Sequence, residues 1–211
     1  TTVPGSQYKG LEKFFVQEGM AYRIVPIKIS ESEPGEYGMI DPHVMYDNMM
    51  NKFKWGNAGD PDVYLDENNR RMFGNFRRIF GNLGKTLIQA GDTVRALETV
   101  TKGLSIVPAD KIPHNYFSIR SAEVLAMAGK KEEAVEIFDN IINYADDYLD
   151  YIVSLGKNER YDLDADIAIN MQSLLDIYYL AEDLSLPDIR ARVEPLVSNY
   201  YGRLYSQERN P

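Results

Sequence analysis

The segment from Phe80 to Pro108 constrains the fold of this chain most, because large and small apolar residues recur in it with helical periodicity. The recurring residues are Phe80, Leu83, Gly84, Leu87, Gly91, Ala96, Val100, Gly103, Leu104 and Pro108. Large side chains fill the space between two helices, whereas Gly84 and Ala96 let the two backbones approach closely. Pro108 cannot continue a helix. The segment therefore predicts two antiparallel helices joined by a turn at Gly91.

A second copy of this pattern follows the short insert from Asp110 to Pro113. Its corresponding residues are Ser118, Ser121, Ala122, Leu125, Gly129, Ala134, Phe138 and Ile142. The turns agree best, because a glycine ends the first helix of each pair and an alanine five residues later packs the second. One helix pair cannot bury its own apolar face, so such pairs stack. The pattern is that of tetratricopeptide repeats, which have a period of roughly 34 residues.

A third helix pair is predicted from two weaker apolar stripes, separated by a break from Ser185 to Asp188. The stripes comprise Ile167, Met171, Leu174, Leu175, Tyr178 and Tyr179, then Ile189, Val193, Leu196, Val197, Tyr200 and Leu204. The small residues are missing, as in a capping pair. We predict an all-α, tetratricopeptide-like α-α superhelix over residues 66–211. Its clear repeats are expected at about 77–110 and 115–148, with a degenerate capping pair at about 160–207.

Residues 1–65 are predicted to form a small α+β or extended segment packed on the repeats. Apolar spacing predicts a helix from Tyr8 to Glu18, and β-branched residues predict an edge strand or extended segment from Met20 to Ile29. Acidic and turn residues predict a surface loop from Ser30 to Gly38. Asp41 then caps a helix that begins at Pro42. This helix is expected to direct Val44, Met45, Met49 and Phe53 inward.

The polar segment from Phe53 to Met72 has two interpretations. As a binding loop, it would act through Trp55, Tyr64, Asp66, Asn69 and Arg70. As a connection, it would be tied to the fold and capped by Asp66 at the start of the first long helix, because Asp satisfies free amides at a helix start. We favour the connection.

Charge and composition exclude several classes of function. The net charge of -9 and the absence of a basic stripe argue against nucleic-acid binding. The arginine pairs Arg70-Arg71 and Arg77-Arg78 are expected to pair internally with nearby acidic residues. These acidic residues are Asp60, Asp62, Asp66 and Glu67. The chain has no cysteine, which excludes thiol catalysis and thiolate metal sites.

No metal, cofactor or catalytic residue is predicted. Asp162, Asp164 and Asp166 have calcium-loop spacing, but Ile167 and Ser173 replace the required glycine and glutamate. An acidic helix start is the better interpretation. The two histidines, His43 and His114, are far apart in the sequence, and neither a phosphate-binding loop nor a nucleophile motif is present.

If the repeats bind a protein or peptide partner, their first helices should line the groove. The positions left free by the packing pattern are Arg78, Lys85, Gln89, Tyr116, Arg120 and Glu123. Their mixed charge differs from the basic clamp by which chaperone-binding tetratricopeptide domains hold a terminal carboxylate. Tyrosine clusters, such as Tyr144, Tyr148 and Tyr151, could either bind sugar or peptide or fill helix interfaces, and we favour the interfaces.

Four stretches carry a resemblance to a known family. They are residues 18–26, 45–48, 52–57 and 63–72, with the sequences EGMAYRIVP, MYDN, KFKWGN and VYLDENNRRM. With them, the chain resembles the C-terminal soluble region of a Bacteroidetes family of multi-spanning membrane proteins that are protein O-mannosyltransferase-like, of GT-C type and of unknown function. The start at Thr1, without a methionine, is expected of an excised domain or a mature N-terminus.

The resemblance implies a soluble tail on the periplasmic side of the inner membrane. Sugar-donor binding and catalysis would lie in an N-terminal membrane domain that is not part of this sequence, so no catalytic residue is transferred. The tail would be a non-catalytic interaction or scaffolding domain that presents acceptor or partner proteins. The alternatives are a free-standing adaptor and, less favoured, an enzyme. Asp92-Thr93-Val94 also resembles the O-glycosylation acceptor motif of these bacteria.

Overall fold

The fold is mostly helical, as seen in a computed structural model that describes residues 7–29, 38–155, 157–160 and 162–205. Residues 1–6 and nearly all of the expected loop from Ser30 to Gly38 lie outside the described residues. The helices are α1 (Pro42–Asp47), α2 (Glu67–Gln89), α3 (Thr93–Ser105), α4 (Ile119–Met127), α5 (Lys131–Ser154), α6 (Asp164–Asp183) and α7 (Pro187–Tyr205). The strands are β1 (Phe15–Gln17), β2 (Tyr22–Ile24) and β3 (Met39–Ile40). No described helix is long and apolar enough to span a bilayer.

The N-terminal part contains a three-stranded sheet in the order β2-β1-β3. Strand β1 pairs with β2 in antiparallel and with β3 in parallel orientation. The helix predicted from Tyr8 to Glu18 is therefore wrong, since only Glu12–Phe14 forms a 3-10 turn before β1. All three residues of β1 are buried, because it is the central strand with both faces covered, and no single helical face could bury them together. The extended segment is confirmed as an edge strand, β2.

Helix α1 and the π-helical turn that continues it (Asn48–Lys52) tie the N-terminal part to the helical body. The Asp41 carboxylate accepts hydrogen bonds from the amides of His43 and Val44 at 3.1 and 3.0 Å, which confirms the predicted cap. Met45 and Met49 are fully buried against the main core. Lys102 of α3 donates to the Met50 carbonyl at 2.6 Å. These contacts place the N-terminal part on the first pair of long helices.

Glycine contacts give the relative direction of the long helices. A Cβ at Gly84 of α2 would lie 2.7 Å from Val100 of α3, and one at Gly103 would lie 2.5 Å from the Phe80 Cβ. As residue numbers fall from Gly84 to Phe80 on α2, those of their neighbours on α3 rise from Val100 to Gly103. Helices α2 and α3 are therefore antiparallel. Towards α4 the residue numbers rise together, because a Cβ at Gly81 would lie 2.9 Å from Arg120 and one at Gly84 would lie 3.4 Å from Val124. Helices α2 and α4 are therefore parallel.

The same relation holds between α5 and α7. Tyr200 donates to the Asp146 carboxylate at 2.5 Å, and Arg203 lies 3.2 Å from Asp150. Arg192, earlier in α7, pairs with Asp139, earlier in α5. Contacts thus advance along both helices together, which makes α5 and α7 parallel. The six long helices form three consecutive pairs, α2–α3, α4–α5 and α6–α7.

The two helices of each pair are joined by a turn with the same backbone geometry. After α2, the Asp92 amide donates back to the Leu87 carbonyl at 2.9 Å, and Lys130 donates to Leu125 at 2.8 Å after α4. Gly91 and Gly129 supply the left-handed residue, each with a φ of 84°. After α6, Leu186 donates to Ala181 at 2.8 Å in the same way, with Ser185 in the left-handed position at a φ of 54°. The third turn therefore repeats the first two without a glycine.

These turns predict opposite effects of matched substitutions. Gly129→Ala should lower the free energy of unfolding by about 1 kcal/mol, because nothing crowds the added methyl group and only the left-handed backbone opposes it. Ser185→Gly should raise the free energy of unfolding by about 0.5–1 kcal/mol by relieving the same strain. The measurement is guanidinium denaturation followed by circular dichroism.

Gly202→Ala, at an open position within α7, is the control and should raise the free energy of unfolding by about 0.5–1 kcal/mol. Destabilisation by Ser185→Gly would contradict the prediction.

Two cations tie the irregular segments to the helices through backbone carbonyls. Arg77 is 2% exposed and donates to the carbonyls of Val107 and Ile112 at 2.5 and 2.8 Å, and burial lowers its pKa to about 10. Lys111 donates to the carbonyls of Ala58 and Val63 at 3.1 and 2.7 Å.

The predicted pairing of the arginines with nearby carboxylates is wrong for Arg77, Arg78 and Arg71. Arg77 bonds backbone carbonyls, while Arg78 and Arg71 hydrogen-bond to side-chain amide oxygens one turn earlier on α2. In the described part of the chain, none of the ion pairs joins these arginines to Asp60, Asp62, Asp66 or Glu67. The positions of these residues around the α2 helix explain the difference. Arg77 points into the core, Arg78 faces the groove beside α4, and Arg71 is exposed to solvent.

Candidate functional site: a groove across three helices

A groove of about 770 Å³ crosses the first helices of the three pairs. Arg78 and Asn82 line it from α2, and Tyr116 and Arg120 line it from the start of α4 and the turn before it. The opposite side is the face of α6 from Ala168 to Asp183. This volume is within the range of about 300–1,000 Å³ that is typical of binding sites.

The groove is built from equivalent positions of the three helices. Aligning the helices on their turn residues Gly91, Gly129 and Ser185 places three rows of side chains across them. The rows are Arg78, Tyr116 and Gln172, then Asn82, Arg120 and Asp176, and then Lys85, Glu123 and Tyr179. All but Lys85 and Glu123 line the groove. Equivalent positions therefore form one continuous surface although they lie far apart in the sequence.

The two sides of the groove carry opposite charge. Arg78 and Arg120 lie on the side of α2 and α4, and Asp176 and Asp183 lie on α6. Arg78 donates to the Asn75 side-chain oxygen at 2.8 Å, and the Asp176 carboxylate accepts from Gln172 at 2.7 Å. Burial raises the pKa of Tyr116, while the nearby Arg78 and Arg71 oppose that shift. The groove thus offers a cationic side, which also carries the phenol of Tyr116, and an acidic side.

The six predicted groove residues have different roles. Arg78, Tyr116 and Arg120 line the groove. Glu123 is 6% exposed and lies 3.2 Å from Lys85 and 2.7 Å from Arg120, so its charge is compensated within the fold. Gln89, the last residue of α2, is exposed and does not line the groove. Arg78 combines a groove position with hydrogen bonds to a neutral partner, the Asn75 side chain.

We predict that Glu123 and Arg78 differ in their effect on stability. Glu123→Gln should lower the free energy of unfolding by about 1–3 kcal/mol, because Lys85 and Arg120 would lose the charge of their common buried partner. Arg78→Gln should change it by less than about 0.5 kcal/mol, since it removes only hydrogen bonds to a side-chain amide. Urea denaturation at low and high salt measures both variants. Equal destabilisation by the two substitutions would contradict these assignments.

Sequence reasoning missed the entire α6 side of the groove. The small residues that mark the first two pairs are absent from the third, and Ser185 stands where glycine would reveal the turn. A signal was nevertheless present. Gln172, Asp176 and Tyr179 precede Ser185 by the same numbers of residues as Arg78, Asn82 and Lys85 precede Gly91. An alignment on the turn residues would therefore have found them.

The candidate loop residues do not converge on one site. Trp55 is half-buried, with its ring centroid 5.5 and 5.2 Å from those of Phe76 and Phe80. Asp66 accepts the Asn69 amide at 2.8 Å and caps α2 as predicted. Tyr64 is 88% exposed, and Arg70 is also exposed. These contacts favour the interpretation of residues 53–72 as a tied connection, with an apolar cleft of about 660 Å³ beside Trp55.

No cluster of three or more histidine or acidic residues that could hold a metal ion occurs within the described ranges. Asp164 and Asp166 instead lie in the first turn of α6, where the helix dipole stabilises them. Comparisons of the chain with models of protein families, with curated proteins and with solved structures found no match. The geometry of the groove is therefore the basis for the functional proposal.

Proposed function

We propose that this chain is a non-catalytic, tetratricopeptide-like interaction domain whose groove binds a segment of a partner protein. The observation that carries the proposal is the groove itself, lined by equivalent positions of three consecutive first helices. Stacked helix pairs use such concave surfaces for binding. The antiparallel order within the first pair, the parallel order of α2 and α4, and the three matching turns support the repeat architecture.

The polar groups of the groove support binding over catalysis. Ser173 is buried and donates its hydroxyl hydrogen to the Ile169 carbonyl at 2.7 Å, so its oxygen is held within the helix. Asp176 is engaged by Gln172, and Arg78 by Asn75. Exposed tyrosine and arginine side chains, by contrast, are the residue types enriched at protein interfaces.

Photo-crosslinking tests groove binding with a matched pair of positions. Ala168 and Ala191 are both exposed alanines of the third helix pair, but only Ala168 lines the groove. A photoreactive phenylalanine derivative at residue 168 should crosslink one defined peptide segment of a partner in native cell envelopes. At residue 191 it should crosslink that segment several-fold less. Mass spectrometry of the crosslinked peptides is the measurement.

Arg78→Glu provides the second arm of this experiment. It reverses one charge of the groove, so it should reduce the crosslink at residue 168 without shifting the thermal unfolding midpoint appreciably. Crosslinking of equal strength at residues 168 and 191, or insensitivity to Arg78→Glu, would contradict groove binding.

We further propose that the domain is the soluble, periplasmic tail of a membrane glycosyltransferase-like protein. The support is the sequence resemblance, whose most specific part is the run from Trp55 to Met72. In this protein the tail presents acceptor or partner proteins, and the chemistry lies in the membrane domain. A free-standing adaptor is the alternative.

The encoding gene tests this assignment. We expect the reading frame upstream of Thr1 to encode several long apolar segments, each of about 20 residues, as membrane-spanning helices require. A fusion of a periplasm-active reporter to the end of the full-length protein should then be active. A gene that encodes this chain without such segments would contradict the membrane assignment and favour the adaptor.

A further inference from the structure

Helix α2 carries three cations in one row, at Arg71, Arg78 and Lys85. They are spaced by two helical turns and so share one face of the helix. Lys85 is compensated by Glu123 at 3.2 Å. Arg71 and Arg78 instead donate to the neutral side-chain oxygens of Asn68 and Asn75, at 3.4 and 2.8 Å. Neither arginine forms an ion pair with a carboxylate in the part of the chain that the structure describes.

The two arginines belong to a chain with 32 acidic and 23 basic residues. Carboxylates outnumber cations in this chain, yet neither of these two guanidinium groups forms an ion pair with a carboxylate of the described residues. A guanidinium group binds a carboxylate through two parallel hydrogen bonds, which are stronger than its bonds to an amide oxygen. The two arginines therefore have unused capacity to bind a carboxylate from outside the chain.

Tyr116 lines the groove together with Arg78. Burial raises the pKa of Tyr116, the positive charges of Arg78 and Arg71 lower it, and Tyr144 and Asp166 raise it further. The Tyr116 ring packs on Phe117, with ring centroids 3.9 Å apart, and offers flat apolar area in the same groove as Arg78.

We propose that Arg78 and Tyr116 in the groove, with Arg71 two turns earlier on the same face of α2, form a subsite for an acidic side chain of an extended partner peptide. The Asp or Glu carboxylate pairs with Arg78, Arg71 adds positive charge, and the adjoining part of the peptide packs on the Tyr116 ring. This inference rests on the proposed function, because it names the chemistry of the segment that the groove binds.

The acidic side of the groove sets the polarity of the peptide. Asp176 and Asp183 on α6 repel a second acidic residue and attract a basic one. A uniformly acidic peptide is therefore disfavoured. The subsite selects a segment whose acidic residue lies towards α2 and whose neutral or basic residues lie towards α6.

A random linear peptide library displayed on phage tests the subsite, with the whole 211-residue chain immobilised. Peptides selected on the wild-type protein should be enriched in Asp or Glu at one position. Their dissociation constants should rise about tenfold or more on Arg78→Glu, as expected for loss of a charge-assisted hydrogen-bonded pair. They should rise about threefold on Arg71→Glu, as expected for loss of a surface charge attraction. Arg70→Glu is the matched control, since it makes the same charge change on the same helix at an exposed residue that lies off the row of Arg71, Arg78 and Lys85. It should change the dissociation constant less than about twofold.

A charge exchange strengthens the test. Replacing the selected acidic residue of the peptide by Lys should weaken binding to the wild type and partly restore binding to Arg78→Glu. If Arg78→Glu fails to fold, Arg78→Gln and the weakening of wild-type binding by added salt replace it.

The outcomes separate this inference from the proposed function. Peptides that block crosslinking at residue 168 but show no acidic preference, or that Arg70→Glu weakens equally, would overturn the subsite alone. Peptides that bind without blocking that crosslink, or failure to select any peptide, would overturn groove binding and the subsite together.

Discussion

The close approach of α2 to its neighbours is the constraint on which the rest of the structure depends. A Cβ at Gly81 would lie 2.9 Å from the Arg120 Cβ and 3.1 Å from the Ser121 nitrogen, so a larger residue would force α4 away. Gly84 is in equally close contact with Val100 of α3. Helix α2 therefore holds both neighbours at short distance, and this distance brings Arg78 and Arg120 to the same groove.

Close helix packing also determines which charges remain available at the surface. Glu123 is buried at the junction of α2 and α4 and compensates Lys85 and Arg120 there. Removing its charge would take a buried carboxylate from both cations, whereas Arg71 and Arg78 form no ion pair with a carboxylate of the described residues. The fold thus uses Lys85 and Arg120 for its own stability and leaves Arg71 and Arg78 hydrogen-bonded to neutral side chains. An acidic protein can in this way keep a local cationic surface.

Local patterns in the sequence predicted the local structure well. Asp41 and Asp66 cap the helices that they precede, and Gly91 and Gly129 end theirs, because these roles depend only on side-chain and backbone chemistry within a few residues. The prediction of a helix from Tyr8 to Glu18 was wrong because the apolar spacing of this segment suits both a short helix and a buried strand. Pairing of β1 with two strands, one of them distant in sequence, decided between them.

The amino-acid sequence by itself determined the helical periodicity, most helix ends and the residues of the main core. Each of these follows from the preferences of neighbouring residues and from burial of one helical face. Only the tertiary structure decided that Ser185 adopts the same turn as two glycines, that Arg77 binds carbonyls, and that α6 completes the groove. Those outcomes depend on the distances between segments far apart in the chain, and packing alone sets these distances.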